Sequence, residues 1–134
     1  MRIELAESSA VLGGHKAARR FFARCFNAGD SSLEQLLVAH VDSKGRCIHV
    51  VHYAGEPAAV EMPVREIVAD ALRLGSAGVV IAHNHPSGDA RPSDADYRAT
   101  RKLARACEAI DVAVLDHLIF AGGDCSSMRR RGLL

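Results

Sequence analysis

Five consecutive residues, Gly78-Val79-Val80-Ile81-Ala82, leave a chain of this size little choice of architecture. An apolar run this short, opened by glycine and closed by a polar loop, has the length and β-branched content of a strand covered on both faces. Such a strand needs layers on either side of its sheet. The flanking segments supply them. Gly14 to Asn27 is amphipathic, with Ala18, Phe21, Phe22 and Cys25 on one face and Lys16, Arg19, Arg20 and Arg24 on the other, and Gly29-Asp30 ends it. Leu36–Val41 and Arg46–Tyr53 have strand character and are joined by the turn former Asp42-Ser43-Lys44-Gly45, which predicts a hairpin.

After a loop at Gly55-Glu56-Pro57, Pro63 suits a first helical residue, Val64, Ile67, Val68 and Ala71 recur at helical spacing, and Gly75 suits the stop. Beyond the dense turn Pro86–Pro92, residues Ala99, Leu103, Ala106 and Ile110 mark the expected buried face of a third helix. Val112–Leu115 and Leu118–Ala121 read as two short strands before a tail with Arg129, Arg130 and Arg131. The order helix, hairpin, helix, strand, helix, two strands predicts an α/β fold, a mixed sheet flanked by helices. With 134 residues, 49% of them hydrophobic and 25% charged, there is room for one domain: an N-terminal helix in residues 1–30 and a motif-bearing region over 31–134.

Composition narrows the function classes. Six aromatics and no tryptophan argue against stacking platforms for single-stranded nucleic acid, and a net charge of +1 gives no global field for an acidic polymer. Arg2, Glu4 and Glu7 interrupt the N-terminal stretch, so neither a signal peptide nor a membrane span is expected, and the compartment expected is the cytoplasm. Cys25, Cys47, Cys107 and Cys125 form no Cys-x-x-Cys pair, which excludes a zinc ribbon and a thioredoxin-type motif and leaves free thiols. The sequence sets no oligomeric state.

Chemistry concentrates where the central strand ends. His83 and His85 are two apart, and in an extended chain both imidazoles point to one side and can meet one metal ion. The loop that follows lets the chain fold back, so Asp96, in the first turn of the next helix, can supply a carboxylate ligand. Two neutral imidazoles and one carboxylate leave a tetrahedral zinc a fourth position for water. Ser93-x-x-Asp96 also has the pattern of a helix N-cap, a reading compatible with an oxyanion-donating hydroxyl at Ser93 and in competition with the ligand role of Asp96. Asp116-His117 is either a pair that orients the site from behind or a satisfied structural pair at a strand start. Of the remaining histidines, His49 and His52 fall on opposite faces of a regular strand, and His15 is expected in solvent.

His83-Asn84-His85-Pro86-Ser87-Gly88, Pro92-Ser93-x-x-Asp96 and Leu115-Asp116-His117, with Arg65-Glu66-Ile67, Thr100 and the closing Gly132-Leu133-Leu134, closely resemble the RadC family, whose domain belongs to the JAMM (Jab/MPN) metalloprotease superfamily. The resemblance runs from about Glu34 to Leu134. It implies a JAMM or cytidine-deaminase-like α/β/α sandwich with Zn2+ held by His83, His85 and Asp96, Ser93 as oxyanion donor and Glu34 as general acid/base. It implies hydrolysis of a peptide or isopeptide bond in an unknown protein or peptide substrate. Three features depart from the pattern: 134 residues are too few to include the N-terminal helix-hairpin-helix region usual in the family, Arg130 stands where an acidic residue is frequent, and Gly55-Glu56 replaces a small hydroxyl residue.

Two alternatives stand beside the hydrolase. One is a DNA-repair-associated or non-catalytic binding module, for which Lys16, Arg19, Arg20 and Arg24 on the first helix, and Arg98, Arg101, Lys102 and Arg105 on the third, are either solvated faces or a contact surface for DNA or another acidic partner. The other, nucleobase deamination, is disfavoured because the His-x-Glu with Pro-Cys-x-x-Cys it requires is missing.

Overall fold

The computed structural model describes residues 2–5, 10–27, 32–54 and 61–134; the expected helix stop at Gly29-Asp30 and the loop at Gly55–Pro57 lie outside them. The elements run β1 (Arg2–Leu5), α1 (His15–Asn27), β2 (Gln35–Val41), β3 (Cys47–Ala54), α2 (Val64–Leu74), β4 (Gly78–Asn84), α3 (Asp94–Glu108), β5 (Ala113–Ala121) and β6 (Asp124–Ser127). The six described strands form one sheet in the order β1-β3-β2-β4-β5-β6. β4 and β5 are parallel and the other pairs antiparallel, so the sheet is mixed as the element order predicted.

Alternation along the central strands sends side chains to two cores. Leu37, Ala39, Val80 and Ala82 join Phe21 and Phe22 of α1 on one face. Leu36, Val38, Val79 and Ile81 join Ile67 of α2 and Leu103 of α3 on the other. The result is a three-layer α/β/α arrangement in which every residue of β4 is buried. Each fully buried side chain of the size of Phe22 or Ile81 contributes about 1.5–3 kcal/mol of transfer free energy. With few aromatics available, Phe26 of α1 packs on Phe120 of β5 at 5.1 Å between ring centroids and pins the helix end beside the mouth of the sheet.

Four sequence expectations change. Pro63 is the N-cap rather than the first helical residue, because its ψ of 70° is not helical, and α2 begins at Val64; Gly75 does close it in the left-handed conformation. The buried stripe of α3 is Thr100, Leu103 and Cys107, one residue round from Ala99, Ala106 and Ile110, which stay partly exposed. The two strands expected at Val112–Leu115 and Leu118–Ala121 are one nine-residue strand, Ala113–Ala121, and Asp116-His117 lies inside it rather than at a strand start. The polar pair breaks the apolar run in sequence, yet both side chains are buried and hydrogen-bonded. β1 and β6 carry too little apolar periodicity to be read from the sequence.

One irregularity sits beside the site. Between β4 and β5 the register passes from Val79 opposite Val114 to Val80 opposite Asp116, so Leu115 is an extra, bulged residue. Gly78 accommodates it: a Cβ there would stand 3.1 Å from the Leu115 Cδ1 and 3.2 Å from the Ala113 carbonyl oxygen. Among the described residues no helix is long and apolar enough to cross a membrane.

Candidate metal centre

His83 and His85 leave the end of β4 on the α3 side of the sheet, as their spacing predicted, but in different surroundings. His83 is 4% exposed and belongs to the strand, whereas His85 is in the turn that follows it. Their Nε2 atoms are 2.8 Å apart. The loop folds back as expected and brings Asp96 to the pair, with Oδ1 3.4 Å from His83 Nε2 and Oδ2 3.1 Å from His85 Nε2. Asp96 is also the third residue of a capping box: Ser93 Oγ accepts from the Asp96 amide at 3.0 Å, and Asp96 Oδ2 accepts from the Ser93 amide at 2.9 Å. The two readings of Ser93-x-x-Asp96 therefore coexist, because one carboxylate caps the helix and faces the histidines.

Glu34 comes from the segment just before β2, and its Oε1 is 3.7 Å from His83 Nε2. Glu34, His83 and His85 each offer one ligand atom, and these atoms lie within 4.8 Å of one another. Sequence reasoning missed how Glu34 is held. Asn84, between the two histidines, points to the opposite face of the sheet, where its Nδ2 donates to the Leu33 carbonyl at 2.8 Å and its Oδ1 accepts from the Gln35 amide at 2.6 Å. One side chain thus grips the backbone on both sides of Glu34. The signal for it was His-Asn-His itself, but its partners are 49 and 51 residues away in the chain.

Two further residues reach the centre from behind. His117 Nε2 lies 2.6 Å from His83 Nδ1, and His117 Nδ1 lies 2.7 Å from the Thr100 hydroxyl. The Asp116-His117 pair is therefore divided: Asp116 faces away, accepting from the Ser127 hydroxyl and the Arg129 amide, while His117 joins the site.

The electrostatics follow burial. Desolvation pushes the His83 ring down to about 4, against the pull of Asp96, and pushes buried His117 well below its ordinary 6.5. His85 moves the other way, raised chiefly by its hydrogen bond with Asp96. Burial would raise the carboxyl of Asp96, but hydrogen bonds from His85 and Ser93 overturn this and hold it well below the carboxylate range.

The donor chemistry fits a metal ion. His85 Nδ1 is 2.8 Å from the Asp89 carbonyl oxygen, which can only accept, so Nδ1 carries the proton and the neutral ring leaves Nε2 a bare lone pair. That lone pair faces His83 Nε2 and a carboxylate that stays ionised. A proton shared between these atoms or a metal ion would relieve the crowding. Imidazole nitrogen with carboxylate oxygen is a borderline-soft set of the kind that holds zinc.

A family model described as RadC-like JAB domain matches residues 14–133. The chain belongs to the RadC-like JAB domain family. The JAB domain is related to the JAMM superfamily, and the resemblance read from the His-x-His and Ser-x-x-Asp motifs is thereby borne out, as is the α/β fold it implied.

In this JAB domain the site opens on a cavity of about 570 Å³ lined by Leu36, Met62, Val64, Ala95, Ala99 and Lys102 beside the histidines. A second cavity, of about 610 Å³, lies on the α1 side, where Asn84, His85, Phe26 and Phe120 form its wall. The two basic faces are exposed as expected, but α1 packs on one core and α3 on the other, so they look out from opposite sides of the sheet. His15, expected in solvent, is half-buried.

Proposed function

We propose that this RadC-like JAB domain is a zinc-dependent hydrolase that cleaves a peptide or isopeptide bond in a protein or peptide substrate. The observation that carries the reading is the convergence of His83 Nε2, His85 Nε2 and the Asp96 carboxylate, with a second carboxylate, Glu34, standing 3.7 Å from His83 Nε2. His83, His85 and Asp96 would hold the ion. Bound zinc supplies Lewis-acid polarisation of a carbonyl and lowers the pKa of water.

The chain's own residues do the rest. Glu34, fixed on both sides by Asn84, takes a proton from the attacking water and returns it to the leaving amine. Ser93 spends an oxygen lone pair on the Asp96 amide, which leaves its hydroxyl hydrogen for the developing oxyanion. His85 borders both cavities, so an extended chain crossing the site would find an apolar wall before and after the scissile bond. Four free cysteines suit a reducing, cytoplasmic setting.

Metal analysis of protein purified without added metal, followed by zinc rebinding, tests the first half; no zinc bound and none rebound would overturn it. Glu34→Gln tests the second, with an expected loss of about 10²–10⁴ in turnover at unchanged zinc content. A second reading, a binding module for DNA or another acidic partner, draws on the exposed run Arg98, Arg101, Lys102 and Arg105, since Lys102 also lines the site cavity. It predicts salt-sensitive retention on duplex DNA, and no retention at low salt would remove it.

A further inference from the structure

Thr100 and His117 are structural bystanders in a list of zinc ligands, yet the hydrogen bond from Thr100 to the Asp96 carbonyl selects one arrangement of protons. The Thr100 hydroxyl has a single hydrogen and donates it to the Asp96 carbonyl at 2.7 Å, one turn back along α3. The Thr100 oxygen can therefore only accept in its 2.7 Å contact with His117, so the proton of the neutral His117 ring is on Nδ1. His117 Nε2 is then a bare acceptor. At 2.6 Å from it, His83 Nδ1 must be the donor, which leaves His83 Nε2 deprotonated and facing His85 and the two carboxylates.

We propose that Thr100 and His117 are positioning residues of the metal centre, a relay that fixes the tautomer of His83 so that Nε2 meets the ion as a lone pair. The inference rests on the zinc reading above. Burial gives the relay its force: Thr100 and His117 are each 1% exposed and His83 is 4% exposed, so water cannot replace a missing partner. Because the relay begins on the Asp96 carbonyl and ends on His83, it also ties two ligands carried by different elements, α3 and β4, through β5. Reversing any one donor would reverse the rest and place an N–H where the ion should bind.

Thr100→Val keeps the side-chain shape and removes the acceptor for His117 Nδ1–H. Zinc affinity, measured by competition with a chromogenic chelator, should fall about 10–100-fold, and Thr100→Ser should restore it. A purely structural threonine would move the denaturant midpoint in Thr100→Val while leaving zinc affinity at the parent value, and that result overturns the relay. In the metal-free parent, nitrogen-15 NMR of the His83 ring should show the proton on Nδ1; a proton on Nε2 also overturns it. Should the parent bind no zinc, the metal reading fails by itself, and the His83 tautomer still decides whether the relay exists.

Discussion

His83 and His85 are two residues apart and offer the same atom to the same centre, but the protein holds them by opposite means. His83 is part of a strand buried along its whole length, and its second nitrogen is tied to another buried ring. His85 is half-buried, and its second nitrogen is tied to the Asp89 carbonyl four residues ahead in an exposed loop. Core packing fixes one ring in place. The other is held by an exposed loop, and the two ring pKa values part, burial driving His83 down to about 4 and the hydrogen bond with Asp96 raising His85. The difference teaches that a two-histidine motif need not hold two equal rings: on the zinc reading proposed above, His83 would act as a fixed wall and His85 as the group from which an entering metal would displace a proton.

Alanine at each position should break this comparison most visibly. Both variants should lose bound zinc, but His83→Ala should also cost the metal-free fold about 2–4 kcal/mol, since it opens a cavity and strips His117 Nε2 of its donor. His85→Ala should cost the metal-free fold less than about 1 kcal/mol, as a half-exposed loop side chain does. Urea unfolding of the two metal-free variants measures the gap, and equal losses would mean that burial does not separate them.

Acid should sharpen it next. His83 has a folded pKa below its ordinary 6.5, so the unfolded chain takes up the proton first; its contribution is present above 6.5 and lost as pH falls towards about 4. The raised pKa of His85 works in the opposite sense, with a contribution present below 6.5 and lost as pH rises through the folded value. Urea midpoints of metal-free protein from pH 7 to 4 should therefore fall more steeply in His85→Ala than in His83→Ala, by a margin on the order of a few kcal/mol in unfolding free energy.

Much of this asymmetry could be read from the chain and some could not. The burial of β4 was visible because its residues are apolar without interruption, and the fold-back of Asp96 was visible because Pro86–Pro92 is dense in turn formers. The role of His117 was not, since its partners, His83 and Thr100, are 34 and 17 residues away and only the parallel pairing of β4 with β5 brings them together. Asn84 escaped for the same reason. Asp116-His117 misled because polar residues ordinarily interrupt a strand, and nothing local announces that both will be satisfied inside it. Glu34 was reached through family resemblance alone; its selection depends on hydrogen bonds that its own neighbours in sequence do not reveal.

Two smaller effects probe the loop that carries His85. Gly88 has φ 89°, in the left-handed region, and its amide closes the turn on the His85 carbonyl at 3.2 Å. Gly88→Ala should cost about 1–2 kcal/mol in that conformation and weaken zinc binding several-fold by shifting His85 away from Asp89, while leaving His83 undisturbed. Calorimetric titration with zinc measures it. The smallest effect belongs to Arg91, whose guanidinium grips Asp89 at 2.7–3.1 Å in full solvent. Arg91→Ala should change zinc affinity by less than about twofold and lose even that at high salt, because exposed pairs are screened.

The extra residue at Leu115 has a consequence for charge. Without that bulge Ile81 would pair with Asp116 instead of His117, and the side chain presented to His83 Nδ1 would be a carboxyl group rather than an imidazole. Counting the carboxyl groups of Asp96 and Glu34, a metal-filled centre would then hold three acidic side chains instead of two. On the zinc proposal, two carboxylates would balance the ion, and a third would leave the cluster anionic and blunt its power to draw electrons from a carbonyl. Under that proposal a one-residue irregularity in strand pairing acts as an electrical setting that would keep the filled centre neutral.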